Sequence, residues 1–202
     1  MKAQEMYAGL LGGAVAIPLV VMLGLSLADG MKRSHEGPLR SMIGDHRYDE
    51  LRESGDGFPH YVGRERMAPD FALQDREGNT WEMKDQRGKV VVMNFWSITC
   101  PPCLEEMPSI EMLGELSNRW DDVEVVAITT DQRWEDVATV LPRESEVTHL
   151  IDPDKAVTKD MFGTELYPET WIIDREGVVR FRFDGGYDWS SPLVLDVIES
   201  FR

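Results

Sequence analysis

Apolar positions along this chain fall into three regimes. From Met6 to Ala28, "MYAGLLGGAVAIPLVVMLGLSLA", 23 residues carry no charge. About 20 such residues suffice for a helix to cross a bilayer core, and Gly and Pro are tolerated in such spans. Residues 1–28 are therefore expected to form an N-terminal transmembrane anchor. A second reading is a signal segment cleaved after the small-x-small run Ser26-Leu27-Ala28. Residues 29–66 are polar, with scattered Gly and Pro and little apolar periodicity, and read as a linker with a short helix near Arg47 to Glu53.

From Met67 to Arg202 short apolar runs alternate with helical spacings. "FALQDREGNTWEM" predicts a hairpin turning at Gly78-Asn79. "KVVVMNFW" is continuously apolar, as a strand buried on both faces should be. Leu104, Met107, Met112, Leu113 and Leu116 keep roughly helical spacing from Cys103 to Trp120, with Pro108 expected to kink the helix. "VEVVAIT" and "THLIDP" read as strands, and "DQRWEDVATVL" and "DKAVTKDMF" as helices. "TWIIDREGVVRFRF" reads as two strands about a turn at Arg175-Glu176-Gly177. Ser191-Pro192 opens a last helix whose apolar face is Leu193, Val194, Val197, Ile198 and Phe201. The order predicts an α/β domain with a mixed central sheet over residues 67–202.

Charge narrows the partners. The chain has 21 basic and 37 acidic residues, net −16, and the portion from Met67 onward holds 13 basic against 28 acidic. Phosphate-rich surfaces are repelled by such a body, so no nucleic acid partner is expected and a basic protein partner fits better.

Both cysteines sit in "NFWSITCPPCLEEMP", where the first central strand gives way to its helix. At a helix N-terminus Cys100 faces orphan backbone N–H groups and the positive end of the helix dipole, which favour the thiolate. Cys103, one turn on, is placed to resolve a mixed disulfide. Pro101 and Pro102 remove two donors but stiffen the turn. A zinc site lacks a second cysteine pair, and His35, His46, His60 and His149 are dispersed. A structural bridge would gain little from so short a loop. Redox exchange is the preferred reading, with Cu(I) held by two thiolates, and His149 as a further ligand, kept as an alternative. A lone peroxidatic cysteine in a Pro-x-x-x-Thr-x-x-Cys setting is absent, because position 93 is Met.

"APDF" at Ala68–Phe71, "VVVMNFWSITCPPCLEEMP" and "YPETWIIDREGVV" together resemble the membrane-anchored thioredoxin-like proteins of the TlpA, ResA and DsbE type, from about Ala68 to the C-terminus. The resemblance implies a thioredoxin-like fold and a redox-active Cys100–Cys103 pair. It implies that Pro168 is a cis-proline facing that pair, with the backbone of Tyr167 free to add an extended substrate segment. "Pro-Glu-Thr" resembles the DsbE branch, so Glu169 is expected to take the Cys103 proton, the more so because Asn94 stands where classical thioredoxins carry a buried acid. Thr99 replaces the usual tryptophan before the first cysteine, and Trp96 and Thr99 are the remaining candidates for the substrate surface. Neither residue between the cysteines is acidic.

The function expected is a thiol–disulfide oxidoreductase reducing disulfides of exported proteins, needing no cofactor and no metal. The resemblance implies apocytochrome c or its carrier as substrate, a membrane thiol reductase as electron donor, and a place on the extracytoplasmic side of a bacterial cytoplasmic membrane. The rivals are a copper-handling assembly factor for a respiratory oxidase and a disulfide-forming oxidant.

Overall fold

In the computed structural model the described residues are 61–63, 65–142 and 144–202, with isolated positions 20–22, 40, 44–46, 48, 49 and 59 before them. Most of the expected anchor and most of the linker lie outside the described residues; of the helix expected near Arg47 to Glu53 only Tyr48 and Asp49 are described, and both are helical. Among the described residues no helix is long and apolar enough to cross a membrane.

Eight strands form one mixed sheet: β1 (Tyr61–Val62), β2 (Ala72–Asp75), β3 (Thr80–Glu82), β4 (Val90–Trp96), β5 (Val123–Thr129), β6 (Thr148–Ile151), β7 (Glu169–Ile173) and β8 (Val179–Asp184), in the order β1-β8-β7-β4-β5-β6-β2-β3. β4, β5 and β6 run parallel, whereas β7 is antiparallel to β4 and β8 is antiparallel to β7. β1, within the expected linker, pairs antiparallel with β8 through Tyr61 and Val62.

β4 is buried along its whole length because both faces are covered. Val90, Val92 and Trp96 join one core with Ile172, Phe181 and Trp189. Val91, Met93 and Phe95 join the other with Leu150, Phe162 and Trp171. Two adjacent residues of a strand thus belong to different halves of the molecule.

The first core is covered by α1 (Pro101–Ser117) and α3 (Pro192–Glu199). The buried stripe of α1 is Cys103, Glu106, Met107, Ile110, Leu113, Gly114 and Ser117, and the helix runs through Pro108. Leu104 and Met112, expected on that stripe, are exposed, because positions three and four apart from Cys103 select Glu106 and Met107 instead. Gly114 lies against the chain before β6: a Cβ there would come within 2.7 Å of Val147 Cγ2 and 3.2 Å of the Val147 amide. Ser191 caps α3, its hydroxyl accepting from the Val194 amide at 3.4 Å.

Two predicted helices are shorter or differently wound. Only Trp134–Val137 is helical (α2). Beyond it the β-branched Thr139 and Val140 are exposed, and the Thr139 hydroxyl turns back to the Asp136 carbonyl at 2.7 Å. The expected helix over "DKAVTKDMF" is a single π-helical turn, Ala156–Met161. Buried Asp152 takes its free donors, accepting from the Thr158 amide at 2.7 Å and hydroxyl at 2.6 Å.

Candidate active site

The β4–α1 loop is held from the neighbouring strand. Asp131, just past β5, accepts from Ser97 Oγ at 2.9 Å, the Ile98 amide at 2.9 Å and Thr129 Oγ1 at 2.5 Å. The Cys100 amide then donates to the Ser97 carbonyl at 3.1 Å, which sets Cys100 as the N-cap of α1. Pro101 and Pro102 fill the first helical positions, so the nearest donor left to the cap sulfur is the Cys103 amide, 3.3 Å from Cys100 Sγ. Cys100 and Cys103 are joined as a disulfide with Cα atoms 5.3 Å apart. Cys100 is half-buried and Cys103 is fully buried, so an incoming thiolate or disulfide meets Cys100 first.

One turn beyond Cys103, in the same buried stripe, stands Glu106. Its carboxylate gathers three donors from two other elements: Asn94 Nδ2 of β4 at 2.8 Å, and the Tyr187 amide and Trp189 Nε1 of the β8–α3 loop at 3.0 Å each. Ser109 fastens the same loop, donating to the Tyr187 carbonyl at 3.1 Å and accepting from the Trp189 amide at 3.1 Å. Burial pushes the Glu106 carboxyl above the ordinary carboxylate value, and the three hydrogen bonds hold it back in part. Asn94 also donates to Thr170 Oγ1 at 2.9 Å, while its own Oδ1 is buried with no partner among the described residues. A half-turn of that amide would offer Glu106 an acceptor in place of a donor, so Asn94 suits either protonation state of the acid.

Glu169 lies elsewhere. Thr170 is the residue of β7 that reaches Asn94, so Glu169, its neighbour in the strand, points to the opposite face of the sheet. Its Oε1 accepts from the hydroxyl of Thr164 and from Trp171 Nε1 at 2.6 Å. Burial raises the Glu169 carboxyl as well, against the hydrogen bonds of Thr164 and Trp171. Glu169 thus lies on the face of the sheet away from Cys103, and the buried carboxyl one helical turn from Cys103 is that of Glu106. The signal was present in the sequence as a glutamate three residues after Cys103, on the stripe the helix must bury.

The Tyr167–Pro168 peptide bond is cis. Tyr167 is half-buried and packs against both cores. Thr99 is exposed, its hydroxyl 3.0 Å from Ser97 Oγ. Trp96, expected as substrate surface, is fully buried and supports the loop from beneath. His149 meets Glu111 at 2.8 Å and Ser145 at 3.3 Å. Glu111 lies eight residues along α1 from Cys103, about 12 Å at 1.5 Å per residue, so His149 does not approach the cysteine pair. Among the described residues no group of three or more His, Cys, Asp or Glu is arranged to hold a metal ion.

The profile of the AhpC/TSA family matches residues 65–182. The thioredoxin-like protein YneN of Bacillus subtilis is 32% identical over 117 residues, covering 57% of this chain and 68% of that one. The thiol-disulfide oxidoreductase ResA of Bacillus cereus is 33% identical over 123 residues, covering 58% of this chain and 66% of that one. The chain thus spans about two thirds of the length of these relatives. A crystal structure from Chlorobium tepidum, described as a thiol:disulfide interchange protein DsbE, superimposes with a TM-score of 0.60 at 26% identity, covering 70% of this chain and all of that one.

Proposed function

The chain belongs to the AhpC/TSA family, and from that premise we propose that it is a thioredoxin-like thiol–disulfide oxidoreductase reducing disulfides of exported proteins through Cys100 and Cys103. The observation that carries the reading is the pairing of a half-exposed cap sulfur with a buried partner sulfur, one turn from a buried carboxyl.

In the dithiol form the Cys100 thiolate attacks one sulfur of a substrate disulfide. A Cys100–substrate bond forms, the substrate S–S bond breaks, and one substrate thiolate leaves. The Cys103 thiol then gives up its proton and attacks Cys100 Sγ. The Cys100–Cys103 bond forms, the second substrate thiolate departs, and two electrons have passed to the substrate. Glu106 is the acceptor for the Cys103 proton and returns it to the leaving thiolate. A carboxyl raised toward neutrality by burial suits both directions of that transfer. A reduced dithiol donor restores the pair.

Apocytochrome c, or the carrier that handles its haem-site cysteines, is the proposed substrate, and a membrane thiol reductase the proposed donor. Residues 1–28 are the proposed anchor, with the domain on the extracytoplasmic side. The acidic body supports a basic substrate.

Trapping tests the exchange. Reduced Cys103→Ser chain mixed with a cystine-containing substrate should accumulate a covalent adduct at Cys100, seen by mass spectrometry and released by dithiothreitol. Cys100→Ser should give none; equal trapping by both variants would overturn the assignment of attacking and resolving sulfurs.

A further inference from the structure

The segment Gly163–Pro168 leads from the π-helical turn into β7. Glu169 pairs with Phe95, so this segment meets the sheet at the strand end where β4 delivers the Ser97–Cys100 loop. Beyond it, the Pro168 carbonyl accepts from the Gly185 amide at 2.9 Å, and a Cβ added at Gly186 would lie 3.5 Å from the Pro102 carbonyl oxygen. The segment therefore flanks the cysteine helix.

Thr164 and Pro168 are buried, and the residues between them are not. Thr164 is 1% exposed, and its amide donates to the Thr158 carbonyl at 3.0 Å. Its hydroxyl donates to Glu169 Oε1, and the same oxygen accepts from Trp171 Nε1 at 2.6 Å. Trp171 is in turn packed edge-on against Phe162 at 5.2 Å, so the carboxylate is anchored in the second core. Between these ends Glu165 is exposed, Leu166 is 81% exposed and Tyr167 is half-buried. A lone exposed leucine is ordinary on a protein surface. This one differs in its place, two residues before Pro168 and next to Tyr167, on a loop closed by a side-chain bond rather than by a backbone ladder.

We propose that the Thr164–Glu169 hydrogen bond is a staple that presents Leu166 and Tyr167 as a ledge beside the disulfide, and that Leu166 selects extended substrate segments carrying an apolar side chain next to their cysteine. This deepens the reading of Cys100 and Cys103 as an exchange centre and rests on it. Thr164 and Glu169 are then positioning residues, acting on the docking of a polypeptide and not on the sulfur chemistry. Glu169 is unsuited to receive the Cys103 proton, since it faces away from Cys103 and its Oε1 already accepts two donors. A small aromatic disulfide, having no flanking chain, does not reach the ledge.

The full chain, with dithiothreitol as electron source, is assayed on two probes: 5,5′-dithiobis(2-nitrobenzoate), and a cystine peptide with Leu beside the cysteine or, in a matched version, Ser. Leu166→Ser should raise KM for the Leu peptide about tenfold, the scale of one lost apolar contact, and abolish the preference over the Ser peptide. Thr164→Val, which keeps the shape and removes the donor, should raise the same KM with kcat and the small-probe rate following the wild type. Thr164→Ser, which restores a hydroxyl, should restore KM, and Glu169→Gln, whose amide oxygen can still accept from Thr164, should keep it low. Peptide KM values for Leu166→Ser and Thr164→Val equal to the wild type, with both probes turned over, would overturn the ledge alone. A Glu169→Gln chain slowed on both probes in a pH-dependent way would overturn the positioning role. A wild-type chain that turned over neither probe would overturn the exchange reading and the ledge together. Leu166 is exposed, so its variant reports even where Thr164→Val fails to fold.

Discussion

Glu106 is where chemistry and stability meet in a single side chain. Its carboxyl is raised by burial, so between the ordinary carboxylate value and its folded value the native state holds a proton that the unfolded chain has released. Native stability therefore falls as pH rises through that window, because the unfolded state binds fewer protons there. Glu106→Gln removes this dependence, and the Asn94 amide can turn to meet the new donor. The stability of Glu106→Gln relative to wild type, from urea unfolding at pH 4 and pH 8, should increase with pH. The same variant should slow decay of the mixed disulfide at neutral pH by about 100-fold, the lower range for a lost general acid–base group. No change in either readout would remove Glu106 from the mechanism. The two acids also show how strand and helix period decide which carboxyl faces the cysteine helix. Glu169 drew attention through its place beside Pro168, yet the two-residue period of β7 turns it away and gives Thr170 the contact with Asn94. Glu106 looked like one of several surface glutamates until the burial stripe of α1 was fixed by Cys103.

At the scale of elements, strands were read more accurately than helices. Continuous apolar runs such as Val90–Trp96 admit one environment, a strand covered on both faces, and the structure has it. The short helical patterns were decided by contacts the sequence does not display: the Asp152 carboxylate winding Ala156–Met161 into a π turn, and the Thr139 hydroxyl turning back on the chain after α2. The packing of α1 on the segment before β6 gives a test in which two effects oppose. Gly114→Ala should gain about 1 kcal/mol from helix propensity. The added methyl would lie 2.7 Å from Val147 Cγ2 with backbone just behind it, so the side chain cannot simply swing clear. Overpacking of this kind costs about 1–3 kcal/mol. Chemical denaturation should show a net loss of about 1 kcal/mol; a stabilised variant would mean that the helix and Val147 separate easily.

Taken whole, the molecule is an acidic body with an exchange centre at the C-terminal end of a central strand. A net charge of −16 makes encounter with a basic partner faster than with a neutral one, and salt erases the difference over a Debye length of about 8–10 Å. The second-order rate with a lysine-rich cystine peptide should fall several-fold between about 20 and 200 mM salt, whereas a neutral peptide of equal length should show little change. Equal salt dependence for the two would remove charge from partner selection. Fold, cysteine pair and acidic character were all legible in the sequence; the direction of electron flow depends on the difference in stability between dithiol and disulfide forms. The decisive measurement is therefore the reduction potential of the Cys100–Cys103 pair in the full-length protein, by equilibration with dithiothreitol or glutathione. A reductant requires a value below roughly −220 mV, in the range of thioredoxins and glutaredoxins. A value near about −120 mV, that of a strong oxidant, would contradict it and make this protein a donor of disulfides.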